Sequence, residues 1–175
     1  ALKNIIFGIA NPSGKLPKTF PIKLSDTPAY INGPLNDDKM IYGENIFIGY
    51  RYYDKKEMAV SYPFGHGLSF TSFEYSSLRF SSNIINKGDT LSVSFTVKNT
   101  GRKAGKEVVQ LYVRDPESYL PRPEKELKAF KKIQLEAGEE KDIVINLSER
   151  DFSYYYSDKH AWVAENGEFE IQIGS

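Results

Sequence analysis

The sequence predicts a mainly β fold, an immunoglobulin-like β-sandwich preceded by an extended segment. After residue 70, apolar side chains alternate with polar ones in several short runs, as they do in strands with one buried face. Turn-forming residues such as Lys87-Gly88-Asp89 separate these runs. About seven short strands with such spacing over roughly 100 residues are typical of an immunoglobulin-like sandwich.

The composition bounds the possible functions. The chain has 175 residues, 40% of them hydrophobic, so it can bury a core as one domain or as one domain with an appendage. Basic and acidic residues balance at 23 each, which argues against a nucleic acid or an anionic membrane as partner. No apolar run approaches the roughly 20 residues of a membrane span. The chain has no cysteine, which favours the bacterial cytoplasm slightly over secretion, although secreted bacterial proteins also lack cysteine.

The first residues predict a helix. Leu2, Ile5, Ile6 and Ile9 recur at helical spacing, and Gly8 or the pair Asn11-Pro12 provides a stop. No capping residue precedes this pattern, so we expect the chain to begin inside a helix.

The segment from Pro12 to Pro34 holds too many prolines for a helix or a central strand. Within it, KLPKTFPIKL can form at most an edge strand, and NGPLNDDK predicts a turn. The next stretch, YGENIFIGYRYYDKK, is rich in tyrosine, and the residues around it offer little apolar surface on which its rings could pack. We expect its aromatic rings to pack against a neighbouring domain, with a carbohydrate-stacking platform as the alternative. The rings concerned are Tyr50, Tyr52 and Tyr53 of this stretch and Tyr62 shortly after it.

The predicted strands of the sandwich are EYSSLRFS, TLSVSFTVKN, VVQLYVRD, ELKAFKKIQL, EKDIVINLS and GEFEIQIGS. The side chains predicted to face inward are Leu91, Val93, Phe95, Val97, Val109, Leu111, Val113, Ile143, Ile145, Leu147, Phe169, Ile171 and Ile173. Ser148 and Asp151 form a capping pair that predicts a short helical turn. The aromatic group of Tyr154 to Tyr156 with Trp162 is expected in the core, since a buried Trp or Tyr is common in such sandwiches.

Four stretches together resemble successive segments of family 3 glycoside hydrolases, closest to the bacterial β-glucosidase type. They are NPSGKLPKTFP, GENIFIGYRYYD, PFGHGLSFTSFEYS and RPEKELKAFKKIQLEAGEEK. The resemblance runs over essentially the whole chain in the order of the family. It implies that residues 1–70 are the end of an α/β sandwich domain with a linker, and that residues 71–175 are a fibronectin type III-like domain.

The resemblance also implies where catalysis takes place. Family members that hydrolyse β-glucosides with retention use an aspartate nucleophile on a barrel domain and usually a glutamate acid/base upstream of the NPSGKLP segment. No residue of this chain matches either motif, so we expect it to hold no catalytic, cofactor-binding or metal-binding residue and to need no cofactor. The implied partners are the remaining catalytic domains and, through them, a β-glucoside or oligosaccharide.

Two acids of the aromatic stretch are the alternative catalytic candidates. Glu44 and Asp54 lie among aromatic residues, as acids of sugar sites often do, but we expect them to pair with Arg51 or Lys55. The adjacent acids Asp37-Asp38 and Glu139-Glu140 are expected in solvated loops, and the cluster of Lys125, Lys128, Lys131 and Lys132 on a solvated face.

His66, in PFGHGLSF, is one of two histidines; the other is His160. Two histidines without cysteine make a weak metal site. Gly65 and Gly67 allow a sharp turn, so we expect a structural His66. Two hypotheses for the whole chain follow: a catalytically silent, stabilising part of a β-glucosidase-like hydrolase, or a stand-alone module that binds carbohydrate or protein.

Overall fold

The computed structural model describes residues 2–32, 39 and 41–175. The predicted turn NGPLNDDK and the pair Asp37-Asp38 depend on residues 33–38, which lie outside the described residues.

The front segment, residues 1–70, begins with helix α1 (Leu2–Ile6), as the apolar spacing predicts. Gly8 ends this helix with φ at +66°. Its amide donates to the carbonyl of Ile5 at 3.0 Å, and the Ile9 amide donates to that of Asn4 at 2.8 Å. These two bonds form a Schellman ending, in which a left-handed glycine lets the chain satisfy the last carbonyls.

The remainder of the front segment is mostly irregular. Strand β1 (Phe20–Pro21) pairs antiparallel with β2 (Val60–Tyr62), and this short pair forms a two-stranded sheet of its own. A 3-10 turn covers Leu24–Asp26. Helix α2 (Tyr50–Lys55) lies between the two strands in the chain and was not expected from the sequence.

The front segment has little interior of its own. Among its described residues, Tyr53 is the only large apolar side chain that is buried. The exposed apolar side chains include Leu2, Ile6, Phe7, Ile9, Ile22, Leu24, Ile31, Ile41, Tyr42, Ile46 and Ile48. Exposure of so many large apolar side chains is unusual for a monomer surface.

The rest of the chain is a β-sandwich. Its strands are β3 (Phe73–Phe80), β4 (Thr90–Asn99), β5 (Gly105–Arg114), β6 (Glu126–Leu135), β7 (Glu140–Ser148), β8 (Tyr154–Tyr156), β9 (Ala161–Val163) and β10 (Glu170–Gly174). One antiparallel sheet has the order β3-β4-β7, and the other has the order β10-β5-β6. Strands β8 and β9 form a separate hairpin. The predicted mainly β sandwich fold is confirmed.

The core lies between the two three-stranded sheets. The alternating side chains predicted on β4, β5 and β7 are all buried, and those of β10 together with Phe169 pack against them partly buried. Period-two burial fixes the register, because a slip of one residue would turn every apolar side chain toward water. Phe152 completes this core from helix α3 (Glu149–Phe152), which begins with the predicted capping pair: the Ser148 amide donates to Asp151 Oδ2 at 2.7 Å.

One polar side chain inside the sandwich is fully buried. Asn99 Nδ2 donates to the carbonyls of Lys103 at 2.8 Å and Leu135 at 3.2 Å. Its Oδ1 accepts from the hydroxyl of Thr71 and from the Gly101 amide. A buried amide with all these partners stabilises the turn after β4 and ties it to β6 and to the chain entering β3.

Replacing Leu111 by Ala tests this core. Leu111 is fully buried on β5, so its removal leaves a cavity and is expected to lower the free energy of unfolding by about 2–5 kcal/mol in urea titration. Val144→Ala on the outer face of β7 is the matched control, expected to change it by less than about 0.5 kcal/mol. Equal effects of the two substitutions would contradict the placement of the core.

Candidate functional site

The candidate site is the seam where the front segment contacts the sandwich. Close to the start of the front segment, Asn11 Nδ2 donates to the carbonyl of Ala104 at 2.9 Å. Lys15 forms an ion pair with the buried Glu107 at 3.1 Å, and Lys132 donates to the Ser13 carbonyl at 3.0 Å. The front segment is therefore attached to β5, to the residue before it and to β6 by polar contacts.

The turn that contains His66 closes the seam from the other end of the front segment. The Leu16 amide donates to the His66 carbonyl at 2.9 Å, and the Gly65 amide donates to the Leu16 carbonyl at 2.9 Å. Gly65 has φ at +81° and lies against Gln110, so a side chain there would be strained and crowded. His66 contributes to this turn through its main-chain carbonyl, which accepts the hydrogen bond from Leu16.

The imidazole of His66 is half-buried, and its ring centroid lies 5.2 Å from that of Tyr62. His160 lies elsewhere, exposed at the end of a 3-10 turn with φ at +47°. Within residues 2–32, 39 and 41–175, no group of three or more His, Asp or Glu side chains could hold a metal ion. The structural role of His66 stays a prediction, supported by the main-chain hydrogen bonds of its turn.

Helix α2 contacts the start of β6 through side chains of opposite charge. Lys55 Nζ lies 2.7 Å from Glu124 Oε1, and Lys125 Nζ lies 3.0 Å from Asp54 Oδ2. The Asp54–Lys125 contact is an ion pair without hydrogen-bond geometry. Arg51 lies 3.8 Å from Glu126.

A further hydrogen bond and aromatic packing accompany these charges. The Leu127 amide donates to the Tyr50 hydroxyl at 2.8 Å. The Tyr50 ring lies 4.8 Å from that of Phe64 and 6.1 Å from that of Tyr112 on β5. Burial raises the pKa of Tyr112 to about 12, so its hydroxyl stays protonated and donates to Gln110 Oε1.

Glu126 is the most strongly coupled acid of the seam. Arg122 donates to its Oε1 at 2.9 Å and 3.0 Å, and Lys128 lies 3.1 Å from its Oε2. Burial alone would raise the pKa of Glu126, but Lys128 and Arg122 outweigh burial and hold it below its usual value. Burial lowers the pKa of Lys128, and Glu126 opposes that effect. The hydrogen bond from Lys55 lowers the pKa of Glu124.

A pocket of about 250 Å³ lies under α2. Its lining includes Tyr50, Tyr53, Asp54, Gln110, Tyr112 and Lys125. Asp54 is the only acidic side chain among the described residues that line it. A retaining glycosidase needs two carboxyl groups roughly 5–5.5 Å apart, so this pocket does not provide that pair.

The structure corrects the predicted partners of the two candidate acids. Asp54 is ion-paired at the seam, but with Lys125 rather than with Arg51 or Lys55. Glu44 accepts a hydrogen bond from Asn32 at 3.0 Å. Sequence neighbours were the wrong guide because α2 directs its charged side chains toward the sandwich.

The lysine cluster is also only partly the solvated face that the sequence predicts. Lys131 is exposed, whereas Lys125 and Lys128 are half-buried and ion-paired. Lys132 is exposed but contacts the front segment through the Ser13 carbonyl. Glu139 lies in the turn before β7 and Glu140 is the first residue of β7; they form loose ion pairs with Lys141 and Lys98, at 3.9 Å and 3.6 Å.

The prediction of a buried second aromatic group is wrong. Trp162 is 52% exposed and Tyr155 is 49% exposed, as cross-strand neighbours on the hairpin β8–β9. Their ring centroids lie 5.5 Å apart, and the Arg150 guanidinium covers the Trp162 ring. The hairpin lies outside the two three-stranded sheets, so its side chains cannot enter the space between them.

Replacing Gly67 by Ala tests the closed turn of the seam. A Cβ at Gly67 would overlap the carbonyl oxygen of Gly14, whereas a Cβ at Gly14 would meet nothing within 4 Å. We expect Gly67→Ala to accelerate hydrogen exchange of the Leu16 amide by about ten- to hundredfold, because overpacking costs about 1–3 kcal/mol. Gly14→Ala is the control and should leave this rate unchanged; unchanged exchange in both variants would contradict the close approach.

Comparison with known protein families gives two matches. Residues 1–70 match the model of the glycosyl hydrolase family 3 C-terminal domain, and residues 107–175 match that of a fibronectin type III-like domain. The predicted boundary near residue 70 stays a prediction. Within the described part of the chain, no helix has both the length and the apolar character that crossing a membrane requires.

Several relatives are named β-glucosidases. Thermostable beta-glucosidase B of Acetivibrio thermocellus is 51% identical over 99% of this chain and 23% of that protein. Beta-glucosidase BoGH3A of Bacteroides ovatus is 41% identical over 100% of this chain and 24% of that protein.

Solved structures agree in fold. The GH3 beta-glucosidase of Bifidobacterium adolescentis matches with a TM-score of 0.93 and 40% identity, over 99% of this chain and 25% of that one. Beta-glucosidase 3B of Thermotoga neapolitana, in complex with alpha-D-glucose, matches with a TM-score of 0.89 and 41% identity, over 99% and 24% of the two chains. The chain thus spans about a quarter of the length of these relatives. By its matched regions, its relatives and its fold, the chain corresponds to the C-terminal part of family 3 glycosyl hydrolases.

Proposed function

We propose that this chain is the non-catalytic C-terminal part of a retaining β-glucosidase that removes terminal β-D-glucosyl residues. The observation that carries the proposal is the exposed apolar surface of the front segment in a chain that matches β-glucosidases over about a quarter of their length. The relatives' longer chains supply the catalytic carboxylates in this proposal, since the seam pocket has only one acidic side chain among its described lining residues.

The exposed residues of α1 and of the turn after it indicate how the front segment would join the remaining domains. Leu2, Ile6, Phe7 and Ile9 are each about 70% exposed. Burying each against a neighbouring domain would contribute about 1.5–3 kcal/mol. In this proposal residues 1–70 complete an α/β domain of the longer protein, and residues 71–175 fold as the sandwich that supports it.

The proposal predicts that residues 1–175 are inactive alone. Hydrolysis of an aryl β-glucoside should be detectable with the longer protein and absent with the purified chain at equal molar concentration. The aryl β-glucoside without protein and the chain denatured by heat serve as controls. Turnover by the purified chain would refute the assignment of catalysis to other segments.

The exposed hairpin pair Tyr155 and Trp162 favours a second candidate function, a module that binds carbohydrate by itself. Exposed aromatic rings can stack on sugar rings, although Arg150 already covers the Trp162 ring. Isothermal titration calorimetry with cello-oligosaccharides and pull-down with insoluble glucan test it. Under the first proposal we expect no saturable binding; saturation that Trp162→Ala abolishes and Phe130→Ala leaves intact would establish the module instead.

A further inference from the structure

We propose that Glu124, Lys125 and Glu126 form an alternating-charge clamp that fixes the register of α2 on the sandwich, and that they are positioning residues for the longer protein. The register claim depends only on this chain. The claim of a positioning role rests on the proposed function above.

The contacts of the clamp follow one antiparallel order. Going along α2, Tyr50 contacts residue 127, Arg51 contacts Glu126, Asp54 contacts Lys125 and Lys55 contacts Glu124. Each step along the helix moves back along β6 and the residues before it. Three consecutive residues of alternating sign thus meet three charges of the helix, each with its opposite.

Alternation makes this arrangement specific for one register. A shift of one position toward β6 would place Lys55 against Lys125 and Asp54 against Glu126, so that two attractions become repulsions. Like charges at such contacts disfavour the wrong arrangement, which gives an interface specificity beyond its modest affinity. Three charges of one sign facing three helix charges of the opposite sign would still attract the helix after a shift of one position, and so would not discriminate between registers.

The clamp is itself held rigidly by the sandwich. Arg122 is buried and links Glu126 to Asp115 at 3.1 Å and to the Phe152 carbonyl at 3.0 Å. On the other side, Arg114 lies 3.3 Å from Glu124 and 3.1 Å from Glu170 on β10. The two glutamates that face α2 are therefore fixed by contacts with the end of β5, with β10 and with α3.

The helix in turn fixes the segment before it. Gly49 precedes α2 with φ at +55°, and residues 41–48 before it expose Ile41, Ile46 and Ile48. If these side chains pack on the remaining domains, the register of α2 determines where they meet them. Misplacement of about 1 Å near a reacting centre can lower a rate by about a hundredfold, so a positioning role is measurable.

Reversing one charge of a pair, and then swapping both charges, tests the register claim. Asp54 and Lys125 are suited because Asp54 has no other ion pair among the described residues. We expect Asp54→Lys to accelerate hydrogen exchange of the Lys56 and Met58 amides, which close α2, by about five- to tenfold. The exchanged pair Asp54→Lys with Lys125→Glu should recover most of the protection, because the attraction returns.

The Lys98–Glu140 pair provides the matched control, at 3.6 Å between β4 and β7. Lys98→Glu alone, and the charge-swapped pair Lys98→Glu with Glu140→Lys, should leave the hydrogen-exchange rates of the amides near α2 unchanged. Unchanged exchange in Asp54→Lys, or equal acceleration in the control, would overturn the register claim.

Aryl β-glucoside hydrolysis by the longer protein tests the positioning role. We expect Asp54→Lys to lower kcat/KM by about tenfold and the exchanged pair to restore it, with Lys98→Glu at the level of the unaltered protein. Accelerated exchange with unchanged kcat/KM would overturn the positioning role. An inactive unaltered protein would refute the proposed function instead, and the exchange measurements would still decide the register claim.

Discussion

The burial of alternate side chains between two three-stranded sheets is the interaction on which the rest of the structure depends. Leu111 and Val109 on β5 are completely buried, and β5 is also the central strand of its sheet. The same strand and β6 carry the front segment. A rigid interior therefore sets the positions of Glu107, Gln110 and Tyr112, which face the seam.

The front segment combines two kinds of surface. Toward the sandwich it presents charges and hydrogen-bonding groups, such as Lys15 and Asn11, with Tyr50 and Tyr53 as aromatic anchors. Elsewhere it exposes large apolar side chains that no described residue covers. Polar contacts define geometry at low gain in free energy, whereas apolar contacts supply most of the free energy of association. The two surfaces thus have different tasks.

The strands and the core of the sandwich could be predicted from the sequence because period-two alternation is a local signal. The six predicted runs all form strands, and the capping pair at Ser148 starts its helical turn. Helix α2 escaped prediction because it has six residues and derives its stability from contacts with β6 and β5. No periodic pattern in GYRYYDK distinguishes it from extended chain.

The partners of individual side chains could not be predicted for the same reason. Asp54 contacts Lys125, which is 71 residues away in the sequence, and an acid has many cations at comparable sequence distances. Trp162 escaped prediction because burial of a tryptophan is a tendency of the sandwich core, and the hairpin β8–β9 lies outside the core. Only the path of the chain decides whether a given aromatic side chain can reach the interior.

Magnitudes decide which contacts hold the front segment in place. The three ion pairs of α2 are partly exposed, and each contributes about 0.2–1 kcal/mol, or about 0.6–3 kcal/mol together. Burial of the four exposed side chains of α1 and its ending would contribute about 6–12 kcal/mol on a neighbouring domain. The apolar surface therefore dominates the stability of the front segment once it is covered, and the ion pairs determine where that surface lies. In the proposed function, a chain with a polar seam and an uncovered apolar side would join two domains, with the sandwich as the fixed part.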